Sequence, residues 1–259
     1  MAVIAKFAGV APTSIAKIQG TADPKIYKIV GCQYPIVTPT SCVGWWRLDE
    51  GTGTSIADLM GNMAAGTCTN AWTTGKVRSA LTFDGSLGAG ASIPDPGTGS
   101  VLDFANGDSI TICCWGLIDD DTRVCMLAHK NGSADARPNW SLDVDGNRLN
   151  ITWNDTVASW QVYRQNLSGE YLAEATWYHL AITYTFGTGS SAKLYTNGVL
   201  VRGYWSAGTG NGTNPRISND VMSLGGRLGG GYPFYGDIDD VRVYRRILTV
   251  DELLKLAAA

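Results

Sequence analysis

The sequence predicts an all-β protein: a two-sheet antiparallel sandwich of jelly-roll type, preceded by a short N-terminal β-repeat arm. Three observations carry that prediction. More than eight alternating apolar–polar runs follow residue 44, with turn residues about every ten positions. The composition is the reverse of a helical bundle: 32 glycines stand against four glutamates, and nine tryptophans and eleven tyrosines suit pleated surfaces. The chain also opens on a repeat whose glycines and prolines recur at fixed positions, which opposes a continuous helix.

Composition also sets what the chain is not. With 259 residues, 44% hydrophobic and 17% charged, it can bury a core, so wholesale disorder is excluded. A net charge of −3 and a pI near 5.3 argue against a general nucleic-acid binder, which needs a basic face. No apolar run reaches the roughly 18–20 residues that a bilayer-spanning helix needs, so no membrane partner is expected. No signal peptide is evident: no basic segment opens the N-terminus, and Lys6 interrupts its apolar run.

Residues 1–43 are read as the arm and its linker. IAKFAGV (4–10), IAKIQGT (15–21) and IYKIVGC (26–32) align with a period of eleven. Ile4, Ile15 and Ile26 match, as do Lys6, Lys17 and Lys28, then Phe7, Ile18 and Ile29. APTS and ADPK between the copies are turn signals, so each unit reads as a short strand and a turn. An eleven-residue period also fits a right-handed helical supercoil, which the fixed prolines and glycines oppose. Small repeats need neighbours, so the arm either packs on its own domain or docks on another copy; the second is the expectation. Charge supports it: the arm holds four lysines and one aspartate, a net +3, against 16 basic and 22 acidic residues beyond, a net −6. The nine arm positions named here are therefore the expected assembly residues. The boundary is placed near Gly44.

The body, 44–259, supplies strand candidates at 79–85, 109–118, 124–130, 140–145, 148–153, 159–164, 177–185, 191–198 and 238–246. Asp145-Gly146-Asn147 and Thr196-Asn197-Gly198 read as hairpin turns. Only TVDELLKLAAA (249–259) reads helical, with Thr249 as N-cap and Glu252 completing a capping box.

GWWRLDEGTGTSIADLMGN (44–62), SALTFDGSLGAGASIPD (79–95), SITICCWGLI (109–118), ATWYHLAITY (175–184), KLYTNGVLV (193–201) and YGDIDDVRVYRRILTVDEL (235–253) run in one order. Together they resemble the laminin G-like, concanavalin A-like lectin/glucanase jelly roll over essentially the whole chain after Gly44. That family includes glucanases, glycan-binding modules and structural domains, so the resemblance implies the fold and leaves the function open. Its glucanases carry an ExDxxE strand; this sequence has none, which argues against an enzyme. His129 and His179 lack a motif for nucleophilic catalysis and read as core or edge residues. The IAKxxG repeats resemble segments of phage-type virion proteins over some 30 residues.

Many relatives hold a structural calcium ion between the first and last strands. The matching positions are Glu50, with Asp49 beside it, and Asp239. Two or three carboxylates are a thin set for a cation that takes six to eight oxygens, so turn carboxylates bonding backbone N–H groups are the competing reading. Glycan binding needs exposed aromatic faces, and Trp72, Trp140, Trp153, Trp160, Trp205 and Tyr232 are the candidates, about two of the six being expected at the surface. Of six cysteines, none lies in a CxxC pair, so zinc is not expected; buried thiols are the main reading and Cys32–Cys42 the one disulfide candidate. Six N-x-S/T sequons are expected by chance in a Thr-rich β protein.

Two functions follow. The first is a non-catalytic structural subunit of an extracellular filament, fibre or virion, whose arm docks on other copies of itself. The alternative is a carbohydrate-binding adhesin or receptor-binding module for surface glycans.

Overall fold

A computed structural model describes residues 41–88, 90–119, 124–130, 138–156, 160–166, 172–227 and 230–258. Among these residues the chain forms seventeen strands and one helix. The strands are β1 (Cys42–Trp46), β2 (Ser55–Ile56), β3 (Gly66–Thr67), β4 (Ala71–Thr74), β5 (Ser79–Asp84), β6 (Ala91–Ile93), β7 (Ser109–Ile118), β8 (Val124–Lys130) and β9 (Trp140–Asp145). They continue as β10 (Leu149–Asn154), β11 (Trp160–Gln165), β12 (Trp177–Thr185), β13 (Thr188–Thr196), β14 (Val199–Val201), β15 (Gly203–Ala207), β16 (Met222–Leu224) and β17 (Tyr235–Tyr244). Helix α1 (Val250–Ala257) follows.

The first sheet runs β14-β13-β12-β7-β17-β5-β4, with β1 also on β17; the second runs β15-β11-β10-β9-β8-β16-β6-β3-β2. Every paired ladder is antiparallel. This is the predicted sandwich, and the pairing of β1 with β17 joins its first and last strands. The arm residues Ile4, Lys6, Phe7, Ile15, Lys17, Ile18, Ile26, Lys28 and Ile29 lie outside the described residues, as do Cys32 and Glu170.

The strands form where period-2 alternation supplies one apolar face. Trp46, Phe83, Ile112, Leu142, Ile151, Trp153 and Leu180 meet between the sheets in the main core. Adjacent Cys113 and Cys114 face opposite sides, as strand geometry requires: Cys114 enters the main core, while Cys113 joins a second cluster on the outer face of the first sheet. That outer cluster also holds Trp45, Ala181, Tyr195 and Tyr244, and Leu253 and Leu256 of α1 cover it. The five described cysteines are all buried thiols. Burial pushes Cys42 up to about 12, far from the reactive thiolate form.

Turn chemistry matches the prediction. Gly146 and Asn147 between β9 and β10, and Asn197 and Gly198 between β13 and β14, all take positive φ, the type I′ pattern that suits hairpin twist. Strand β17 carries a bulge between Asp239 and Arg242, where Asp240 takes φ 49°.

Candidate functional site

Strands β8, β9, β10 and β11 place a polar surface on the outer face of the second sheet. Cross-strand registers align Thr67, Ser92, Ser223, His129, Ser141 and Thr152 in one row across β3, β6, β16, β8, β9 and β10. At ordinary strand spacing that row is about 24 Å long. A parallel row holds Met126, Asp143, Asn150, Arg164 and Tyr204, and a third pairs Asn154 with Trp160. The alternate residues Trp140, Leu142, Val144, Leu149, Ile151 and Trp153 enter the core, which fixes these polar side chains on the opposite face.

A polar sheet face ordinarily lies in water. Here Ser141, His129 and Ser223 are fully buried, and Asp143, Asn150 and Asn154 nearly so. Several of them keep unused hydrogen-bonding capacity. Asp143 Oδ1, Asn150 Oδ1, Asn154 Oδ1 and Nδ2, and Ser223 Oγ have no partner. Buried polar groups without partners cost stability, so their clustering on one face sets it apart from the apolar face opposite.

Burial pushes the Asp143 carboxyl up to about 7, although the Thr152 and Ser141 hydroxyls partly offset it. Ser141 Oγ donates to Asp143 Oδ2 at 2.9 Å. The neighbouring cation is neutralised: Arg164 pairs with Asp145, which Arg148 also approaches at 3.9 Å. Exposed aromatics border the face. Trp160 is 37% exposed and Tyr204 44%, while Tyr232 accepts a backbone hydrogen bond from Met126 at 3.2 Å.

The sequence candidates are thus divided. Trp160 and Tyr232 reach the surface beside the polar face. Trp140 does not: it is 1% exposed, and its indole donates to Leu102 O at 2.9 Å, so its place is the core. Trp153 is likewise fully buried. Trp205 packs edge-on against Tyr163 and Tyr184, with its indole donating to Gly189 O. Trp72 lies on β4, at the end of the other sheet, and donates to Gly53 O. Asp143, Asn150, Asn154 and Ser223 were missed; the polar phase of WSLDVD and LNITWN signals the first three, while Ser223, on the three-residue β16, has no periodic signal. The sequons at Asn139, Asn150 and Asn154 are buried in the folded body.

The carboxylates matched to calcium are engaged locally. Glu50 Oε1 accepts from Ala57 N at 2.9 Å, Asp49 pairs with Arg47, and Asp239 Oδ2 accepts from Val77 N at 2.8 Å. Burial pushes Asp239 up to about 8, with Asp240 and Asp49 adding repulsion, and its Oδ1 has no partner. Among the described residues no three His, Cys, Asp or Glu side chains gather to hold a metal ion. His179, fully buried and edge-on to Trp115, is held down to about 3 by burial, with Arg242 adding to the effect. It has the character of a core histidine.

The fold has known counterparts. The binding domain of Paraclostridial Mosquitocidal Protein 1 superposes with a TM-score of 0.64 at 15% identity, covering 84% of this chain and 52% of that one. Domain 4 of AbnA, a GH43 extracellular arabinanase from Geobacillus stearothermophilus, solved with arabinotriose, gives 0.60 at 21% identity, covering 84% and 98%. Trypanosoma rangeli sialidase gives 0.57 at 17%, covering 84% and 33%. The chain thus spans about half of the toxin domain and a third of the sialidase. No curated protein matches the sequence. No helix among the described residues is long and apolar enough to cross a membrane. The family model for the concanavalin A-like lectin/glucanases superfamily matches residues 84–254, about two thirds of the chain, over β6–β17 and most of α1. The chain belongs to the concanavalin A-like lectin/glucanase superfamily.

Proposed function

We propose that the chain is a non-catalytic, lectin-like module that binds neutral glycans at an extracellular surface. The single observation that carries this reading is the exposed ring of Trp160 on the outer face of the second sheet, paired across strands with Asn154, with unused donors and acceptors of Asp143, Asn150, Asn154 and Ser223 lying beneath the surface beside it. Sugars need that combination: amides and hydroxyls for their hydroxyls, and a flat aromatic surface for their C–H faces. Arg164 is held by Asp145, and Asp143 disfavours an acidic sugar. The arabinotriose complex of the arabinanase domain is a sugar complex on the same fold, which supports the reading.

Catalysis is disfavoured by the same geometry. Asp143 and Asp145 share a face, but Asp145 is tied to Arg164 and Arg148 and is not a free nucleophile or base. Turnover of a glycan that disappears in Asp143→Asn would overturn this part.

The test is binding of the full chain to an array of neutral and sialylated oligosaccharides, followed by titration of the best ligand. Asn150→Ala and Asn154→Ala should each weaken binding about threefold to tenfold, the worth of a lost hydrogen bond. Trp160→Ala should weaken it by about tenfold. No retained glycan, or binding indifferent to all three changes, would overturn the reading.

The eleven-residue repeat supports a second, compatible role. Residues 1–43 would attach the module to other copies in a filament or virion through Ile4, Phe7, Ile15, Ile18, Ile26 and Ile29 and the matched lysines.

A further inference from the structure

Lys130 is a charged residue on the core side of its sheet. Its register partners are Trp140 and Met222, both buried, and its own side chain is fully buried. Nζ lies 3.0 Å from Asp95 Oδ2, and that carboxylate is equally buried. The approach lacks hydrogen-bond geometry, for Asp95 Oδ2 has no hydrogen-bond partner despite the contact. Two N–H groups of Lys130 are instead directed elsewhere, to Ser218 O at 2.7 Å and Asp220 O at 2.6 Å.

A third group completes the arrangement. Both carboxyl oxygens of Asp103 are buried without a partner. Burial raises its proton affinity, and the charges of Lys130 and Asp95 both act on it. Phe104 and Trp140 stand edge-to-face at 6.5 Å, Trp140 donates to Leu102 O beside Asp103, and Arg245 lies over the Phe104 ring at 4.6 Å and donates to Asp103 O at 2.6 Å.

We propose that Lys130 and Asp95 condense into an intramolecular isopeptide bond, with Asp103 carrying the proton. The ammonium first gives a proton to the Asp95 carboxylate, leaving a neutral amine and a neutral acid. The nitrogen lone pair attacks Cγ of Asp95 and forms the C–N bond. Asp103 takes a proton from the nitrogen and returns one to the departing hydroxyl, the C–O bond breaks, and one water leaves. Asp103 ends as it began, and no oxidant or cofactor is needed. Two features favour the step. The reacting groups are held at contact distance, which removes the entropic cost of bringing them together. Two charges at zero exposure are replaced by a neutral amide, which relieves their desolvation. The bond would join the segment after β6 to the end of β8 across β16, which lies between them in the sheet.

Intact-mass measurement of the purified full chain tests this directly. The folded protein should be lighter than its sequence by one water, and digestion should release a branched peptide joining the segments of Asp95 and Lys130. Lys130→Met and Asp95→Ala should show the full sequence mass. Asp103→Asn, checked for folding by circular dichroism, should condense at least tenfold more slowly. A folded wild-type chain at full mass would overturn the proposal, as would a water loss mapped elsewhere, for example to an Asn-Gly succinimide. Unslowed condensation in Asp103→Asn would overturn the role given to that residue.

Discussion

Asp143 and His179 are two buried groups whose protons oppose each other, and stability should report both. Burial pushes Asp143 from 3.8 up to about 7, so the folded chain keeps a proton that the unfolded chain releases above about pH 4. The folded state then binds more protons, and stability falls as pH rises from about 4 through about 7. His179 runs the other way: held at about 3, it stays neutral where the unfolded residue, at 6.5, would charge. Its contribution is intact above 6.5 and is lost as pH falls towards 3. The two effects cancel in part between about pH 4 and 6.5; above that Asp143 and Asp239, the latter pushed up to about 8, both lose stability as pH rises. Thermal melts at about pH 6.5 and 8 should therefore show wild type losing stability with rising pH and Asp143→Asn losing less. Equal slopes would mean that Asp143 is already ionised in the folded protein.

Among the elements, α1 shows how a short helix is held in place by its ends. Thr249 Oγ1 accepts from Glu252 N at 3.3 Å, and Thr249 N donates back to the Glu252 carboxylate at 2.8 Å. Arg246 pairs with the same carboxylate at 2.7 Å and holds it down to about 2. Thr249→Ala removes the cap and should cost about 1 kcal/mol, lowering the melting temperature by a few degrees. An unchanged melt would mean that Arg246 and the packing of Leu253 and Leu256 suffice. This capping box was legible because its residues are contiguous. So were β7, β8, β9 and β12, whose bounds follow directly from alternation between turns, and the hairpins at Asn147 and Asn197. The two- and three-residue strands β2, β3, β6, β14 and β16 were not, because pieces so short carry no periodic signal and owe their existence to the partner strand. The polar face was half legible. Alternation in WSLDVD and LNITWN names the residues that face away from the core, but it cannot reveal that Asp143 and Asn150 are buried there. That depends on what the rest of the molecule sets against them.

In the whole molecule the functions divide by place. The second sheet carries the polar face, the Lys130–Asp95 contact lies on its core side, and the described chain begins at Ser41, against the residues that follow β17. Ser41 marks that junction: its carbonyl accepts from Arg245 N at 2.8 Å and its hydroxyl from Arg246 Nε at 2.5 Å. A basic segment joined to an acidic body favours contact between copies, and its repeated Ile and Phe positions supply apolar anchors worth roughly 1.5–3 kcal/mol each when buried. An aspartate at such a position must be desolvated for docking to occur, so Ile15→Asp with Ile26→Asp should abolish self-association. On this docking reading neither position packs on the sandwich, so the melting curve and glycan binding of the double variant should match wild type. Light scattering across a concentration series checks the first expectation and glycan titration the second. Assembly that survives both substitutions would exclude the repeat as the docking element, and loss of folding would show that the arm belongs to the body's own core.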